Sequence, residues 1–84
     1  MFATILHLCT YAACNGYFVD TADSMTDCNT NLVAHSDKMA IVWNAEDNDK
    51  SLTAFLKENK IFENPRMLQD YDYTCEYIPE EQLP

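Results

Sequence analysis

The chain has one glycine, three prolines and only five Lys or Arg residues against fourteen Asp or Glu. Each scarcity closes off a class of function. A single glycine cannot build a Gly-rich phosphate loop. Scarce cations, with none at all in residues 1–37 or 67–84, exclude direct nucleic-acid binding, because affinity for phosphate is assembled from clustered bases. There is no HExxH, no nucleophile elbow and no CxxC pair. No apolar run is long enough to span a bilayer, and the apolar start lacks the basic residues of an export signal. Tyr11-Ala12-Ala13-Cys14 is only a faint lipoprotein cleavage pattern.

What is present is an acidic chain of 84 residues with formal charge −9 and 48% apolar content, the composition of one folded domain. A domain of this size buries about 60% of its unfolded surface, so function is expected on its exterior.

Asn15-Gly16, between two β-rich stretches, predicts a type I′ hairpin joining a strand over residues 2–14 to one over 17–21. Cys14 would then face Tyr17 and Ala12 face Val19, with a bulge allowed within residues 10–13. Asp23 and Ser24 cap a helix whose Met25, Cys28 and Leu32 share a face, ending near His35 at Ser36-Asp37. Met39-Ala40-Ile41-Val42-Trp43 reads as a buried central strand. Residues 46–49 form a turn capping a second helix over 51–59, with Leu52, Phe55 and Leu56 inward, and Asn64-Pro65 opens a short turn through Leu68. In the last strand Tyr71, Tyr73, Cys75 and Tyr77 alternate with Asp72, Thr74 and Glu76. Residues 80–84 are expected to fray. The expected architecture is α+β: a small, mainly antiparallel sheet of about four strands, with two helices on one face, in a single domain over residues 1–84.

Cys9, Cys14, Cys28 and Cys75 are separated by four, thirteen and forty-six residues. In an unbroken strand Cys9 and Cys14 would point to opposite faces about 16 Å apart, beyond reach of a disulfide or shared ion unless a bulge alters the parity. A link from Cys9 or Cys14 to Cys28 stays open, as do free thiols. No metal or cofactor is expected. His7 and His35 read as ordinary strand and helix side chains, and the three serines as cap or turn residues, so no catalytic residue is assigned.

The opening Met1-Phe2-Ala3-Thr4-Ile5-Leu6, followed by Cys9, Cys14, Phe18-Val19-Asp20 and Cys28, resembles a family of short lambdoid-prophage proteins of enteric bacteria. The likeness covers the first third of the chain, which is one residue shorter than the family between its first two cysteines. It implies a phage or prophage accessory protein working in the bacterial host cytoplasm.

The acids sort by element. Asp23, Asp27, Asp47 and Asp49 serve caps and turns, whereas Asp70, Asp72 and Glu76 share one strand face with no structural duty assigned. These three carboxylates, with Tyr71 and Tyr73 as amphipathic contact area, form the candidate partner-binding set. The expected partner is a host protein with a basic surface, such as a nucleic-acid-handling or defence machine, rather than nucleic acid or a membrane. The alternative is a small structural module that forms a homodimer through a strand edge.

Overall fold

The computed structural model describes residues 1–82. Three strands, β1 (Phe2–Thr10), β2 (Cys14–Ala22) and β3 (Leu68–Tyr77), form an antiparallel sheet in the order β2-β1-β3. Two helices, α1 (Met25–Trp43) and α2 (Asn48–Glu58), pack on one face, confirming the α+β class with three strands rather than four. The central strand is β1, and the near-continuous burial of Ala3, Thr4, Ile5, Leu6 and Leu8 follows from having a neighbour on each side. Its Leu6 and Leu8 join Met39 of α1, Leu52 and Leu56 of α2, Ile61, Leu68 and Tyr73 in one core.

The fourth strand expected at residues 39–43 is the last part of α1. Met39 is fully buried while Ile41 is 75% exposed, a helical periodicity that two-sided strand burial would not produce. Ser36-Asp37 does not break the helix, because Cys28, Leu32, His35, Met39 and Val42 continue one stripe at spacings of three and four. The start is as expected: Ser24 Oγ accepts from the Asp27 amide at 3.1 Å. Asp47 likewise caps α2, and Asn64 Oδ1 caps the short 3-10 turn Pro65–Met67. The α2 C-terminus closes in a Schellman arrangement, with the Ile61 amide donating to Leu56 O at 2.9 Å and the Lys60 amide to Lys57 O at 3.2 Å. Its left-handed position, φ 56°, is occupied by Lys60 rather than glycine.

The hairpin turns at Tyr11-Ala12-Ala13, not at Asn15-Gly16. Thr10 secures it: its amide donates to Ala13 O at 2.9 Å, and its Oγ1 accepts from the amides of Ala12 and Ala13. Cys14 consequently pairs with Cys9, Asn15 with Leu8 and Tyr17 with Leu6, not Cys14 with Tyr17 or Ala12 with Val19. Gly16 lies inside β2 without positive φ, where a Cβ would come within 3.3 Å of Ile5 Cγ2. The bulged residues are not in β1: register shifts leave Val19 unpaired in β2 and, opposite Cys9 and Thr10, Gln69 unpaired in β3. Beyond Val19 the parity of β2 reverses. Asp20 therefore turns toward α1, where its Oδ2 lies 3.1 Å from His35 Nε2.

The turn also overturns the geometric objection to a Cys9 and Cys14 link. On two paired strands the residues are direct partners, Cα to Cα 4.0 Å, and they form a disulfide. Cys28 at the start of α1 bonds instead to Cys75 of β3, with Cα atoms 6.1 Å apart, so neither Cys9 nor Cys14 joins Cys28 and no thiol is free. Lipoprotein cleavage before Cys14 would remove β1 from the centre of this sheet. Glu80–Gln82 forms a 3-10 turn within the segment 80–84 expected to fray; residues 83–84 of that expectation lie outside the described residues. Among the described residues no helix is long and apolar enough to cross a membrane.

Candidate functional site

Because both helices cover one face of the sheet, the other face is open. Strand alternation sends Asp70, Asp72, Thr74 and Glu76 of β3 to that open face, opposite Cys9, His7, Ile5 and Ala3 of β1. The three carboxylate residues are exposed. At strand spacing, Asp70 and Asp72 stand about 6.8 Å apart and Glu76 about 13.6 Å beyond Asp72. In water, two carboxylates at the shorter distance repel by only about 0.6 kcal/mol, so an exposed strand holds the row at small cost.

One end of the row is fixed by hydrogen bonds. The Thr74 hydroxyl donates to Glu76 Oε2 at 3.1 Å, which leaves its lone pairs to accept from His7 Nε2 at 2.9 Å. This sets the His7 proton on Nε2, and the ring lies 3.9 Å from Glu76 Oε2. The array orients the Glu76 carboxylate; at the other end Asp70 Oδ1 accepts from the Tyr71 amide at 2.8 Å, and Asp72 is exposed between them.

The charge is segregated by layer. Lys38, Lys50, Lys57, Lys60 and Arg66 all lie on α1, α2 or the segment leading from α2 to β3, so no Lys or Arg stands on any strand. One of them, Arg66, is paired with Asp49 at 3.1 Å on an exposed surface. The open face thus presents carboxylates uninterrupted by permanent cations, and its field extends roughly 8–10 Å into physiological salt. Phe18, 48% exposed and paired with Ile5, adds an apolar element to the same face. That contribution depends on β2 register, which the misplaced Asn-Gly turn concealed.

Tyr71 and Tyr73 lie on the opposite face. Tyr73 is 7% exposed, within the core and stacked on His35 at 6.2 Å, and Tyr71 packs against Trp43 at 4.9 Å. Burial, reinforced by Tyr71, pushes the Tyr73 phenol up to about 12. These two tyrosines therefore hold the helical layer to β3 and are removed from the candidate contact set. Tyr17 is also on the inner face, donating to Glu63 Oε1 at 2.6 Å; burial first, then this bond and the charge of Glu63, raise its phenol to about 12. Sequence reasoning missed Glu63, which also accepts from Asn15 Nδ2 at 3.0 Å and so ties β2 to the segment after α2.

Among the described residues no group of three or more His, Cys, Asp or Glu side chains is arranged to hold a metal. No family model, curated protein or solved structure matches the chain.

Proposed function

We propose that this is a non-enzymatic phage or prophage accessory protein that docks its open sheet face onto a basic surface of a host protein and inhibits it. The carrying observation is the row Asp70, Asp72 and Glu76, exposed on a sheet from which every Lys and Arg is absent. Such a face attracts a cationic groove over a Debye length, raising the association rate before any contact forms. The groove fitted by this chemistry is one that otherwise receives phosphates, as in a nucleic-acid-handling or defence machine such as a CRISPR effector. The strand repeat of about 6.8 Å is twice the axial rise per nucleotide of one DNA strand, a loose match to phosphates spaced along nucleic acid.

The prophage origin and the bacterial cytoplasm rest on the resemblance of the first third of the chain. Two closed disulfides weigh toward an oxidising compartment instead, because such bonds are rare in a reducing cytosol. Thiol counting on protein alkylated inside intact cells decides between them: free thiols support the cytoplasm, and none contradicts it.

Affinity capture from host lysate at low and high salt tests the docking. The expected result is a basic, nucleic-acid-handling protein retained at low salt, released at high salt and lost when Asp70, Asp72 and Glu76 are reversed to Lys. Undiminished capture by the reversed variant would remove this face from the interface. The homodimer alternative, through the open edge of β3, meets a physical obstacle: a second copy would bring identical carboxylates beside the first. Light scattering in rising salt checks it, a salt-insensitive dimer favouring that module.

A further inference from the structure

We infer that the Cys9 and Cys14 disulfide is a thiol-exchange site, selective for neutral or cationic thiols, while Cys28 and Cys75 form the retained structural bond. The two disulfides differ in access at one sulfur each, Cys9 and Cys75 both being half-buried. Cys14 is exposed at the hairpin end, whereas Cys28 is fully buried with its Sγ 3.4 Å from Thr4 Oγ1. An attacking thiolate must reach a sulfur, and exposure of Cys14 permits this where burial of Cys28 does not. Exposed disulfides are also the ones that behave as labile or regulatory bonds.

The chemistry balances with a thiol reductant. A thiolate attacks Cys14 Sγ, forming a mixed disulfide as the bond to Cys9 breaks and Cys9 leaves as thiolate, taking a proton from water. A second thiolate then attacks the reductant's sulfur in the mixed disulfide, releasing Cys14 as thiolate and the reductant as its disulfide; two electrons pass from reductant to protein. The pair is built to close again. Cys9 and Cys14 are register partners, and the turn beneath them is separately held by the Thr10 and Ala13 hydrogen bonds.

The electrostatic setting supplies the selectivity. Cys9 pairs on its other side with Asp70, and Asp72 follows on the same face, so an approaching anionic thiol meets carboxylates within a Debye length. Cys14 lies two strand spacings, about 10 Å, from Asp70, where in water a carboxylate changes an encounter by roughly twofold per unit charge on the thiol's other group, favouring an ammonium and opposing a carboxylate. This inference is independent of the docking proposal, since it concerns only the bond and the charges beside it.

The test treats oxidised native protein at low ionic strength with cysteamine, mercaptoethanol or mercaptoacetate at matched thiolate concentration. The reaction is quenched by alkylation, and the labelled cysteines are mapped by peptide mass. The expected result is labelling of Cys9 and Cys14 well before Cys28 and Cys75. Cysteamine should lead mercaptoacetate by about fivefold or more, with the gap collapsing at high salt and in the Asp70→Asn, Asp72→Asn variant. Simultaneous or earlier labelling of Cys28 and Cys75 would overturn the site, and rates indifferent to thiol charge would overturn its selectivity.

Discussion

Removing the Cys28 and Cys75 bond by Cys28→Ala with Cys75→Ala should cost far more stability than removing the hairpin bond by Cys9→Ala with Cys14→Ala. The two bonds constrain the unfolded chain very differently, since their cysteines are 47 and 5 residues apart. The chain-entropy relation gives about 4 kcal/mol for the longer loop and about 2 kcal/mol for the shorter. A domain of 84 residues has a total stability of roughly 4–13 kcal/mol, so the first loss leaves the fold marginal and the second leaves it folded. Cys28 is also fully buried where the start of α1 meets β3, so its truncation adds to the loss. Urea unfolding of the two double variants, without reductant and with the remaining disulfide verified by mass, measures both values by linear extrapolation. A loss below about 1 kcal/mol for the long-loop variant, or a larger loss for the hairpin variant, would refute the reasoning.

Three further perturbations test other parts of the structure. Lys60 occupies the left-handed position of the α2 terminus, so Lys60→Gly should stabilise the domain by about 0.5–1 kcal/mol in the same urea assay, and destabilisation would contradict the Schellman assignment. Asp37 is exposed in the middle of α1, so Asp37→Pro should cost about 3 kcal/mol or more; tolerance would instead place a helix break there. Tyr17 and Tyr73 are raised from 10.0 to about 12 in the folded state, so the unfolded chain loses those protons first as pH rises. Their contribution to stability is therefore complete below pH 10 and falls away between about 10 and 12, and in tyrosinate absorbance the Tyr17→Phe and Tyr73→Phe variants should each lose a phenol titrating near 12.

The parts of the fold legible in the sequence are those set by short-range chemistry. Ser24, Asp47 and Asn64 cap their helical segments through side-chain bonds to amides two or three residues away, and the alternation of β3 follows from burying one face. What escaped the sequence depends on contacts between elements. Asn15-Gly16 carries the stronger local turn signal, yet Thr10 and the Cys9 pairing close the hairpin three residues earlier. Residues 39–43 are apolar enough for a central strand, and only their burial against β1 and α2 shows them to be helical. The same alternation that exposed Asp70, Asp72 and Glu76 had to send Tyr71 and Tyr73 inward, because a three-stranded sheet needs one buried face and these aromatics supply it. The acid row was thus readable from sequence, whereas its base-free surroundings required knowing that every Lys and Arg falls in the helical layer.

The proposed role of the row on β3 is to occupy a phosphate-binding surface of the partner. Competition measures this most directly: the captured host protein is loaded with labelled nucleic acid and titrated with wild-type protein or with the variant reversed to Lys at Asp70, Asp72 and Glu76. Wild-type protein should displace the nucleic acid, more weakly as salt rises, and the reversed variant should not. A ternary complex containing host protein, nucleic acid and this chain together, or equal displacement by both forms, would contradict it.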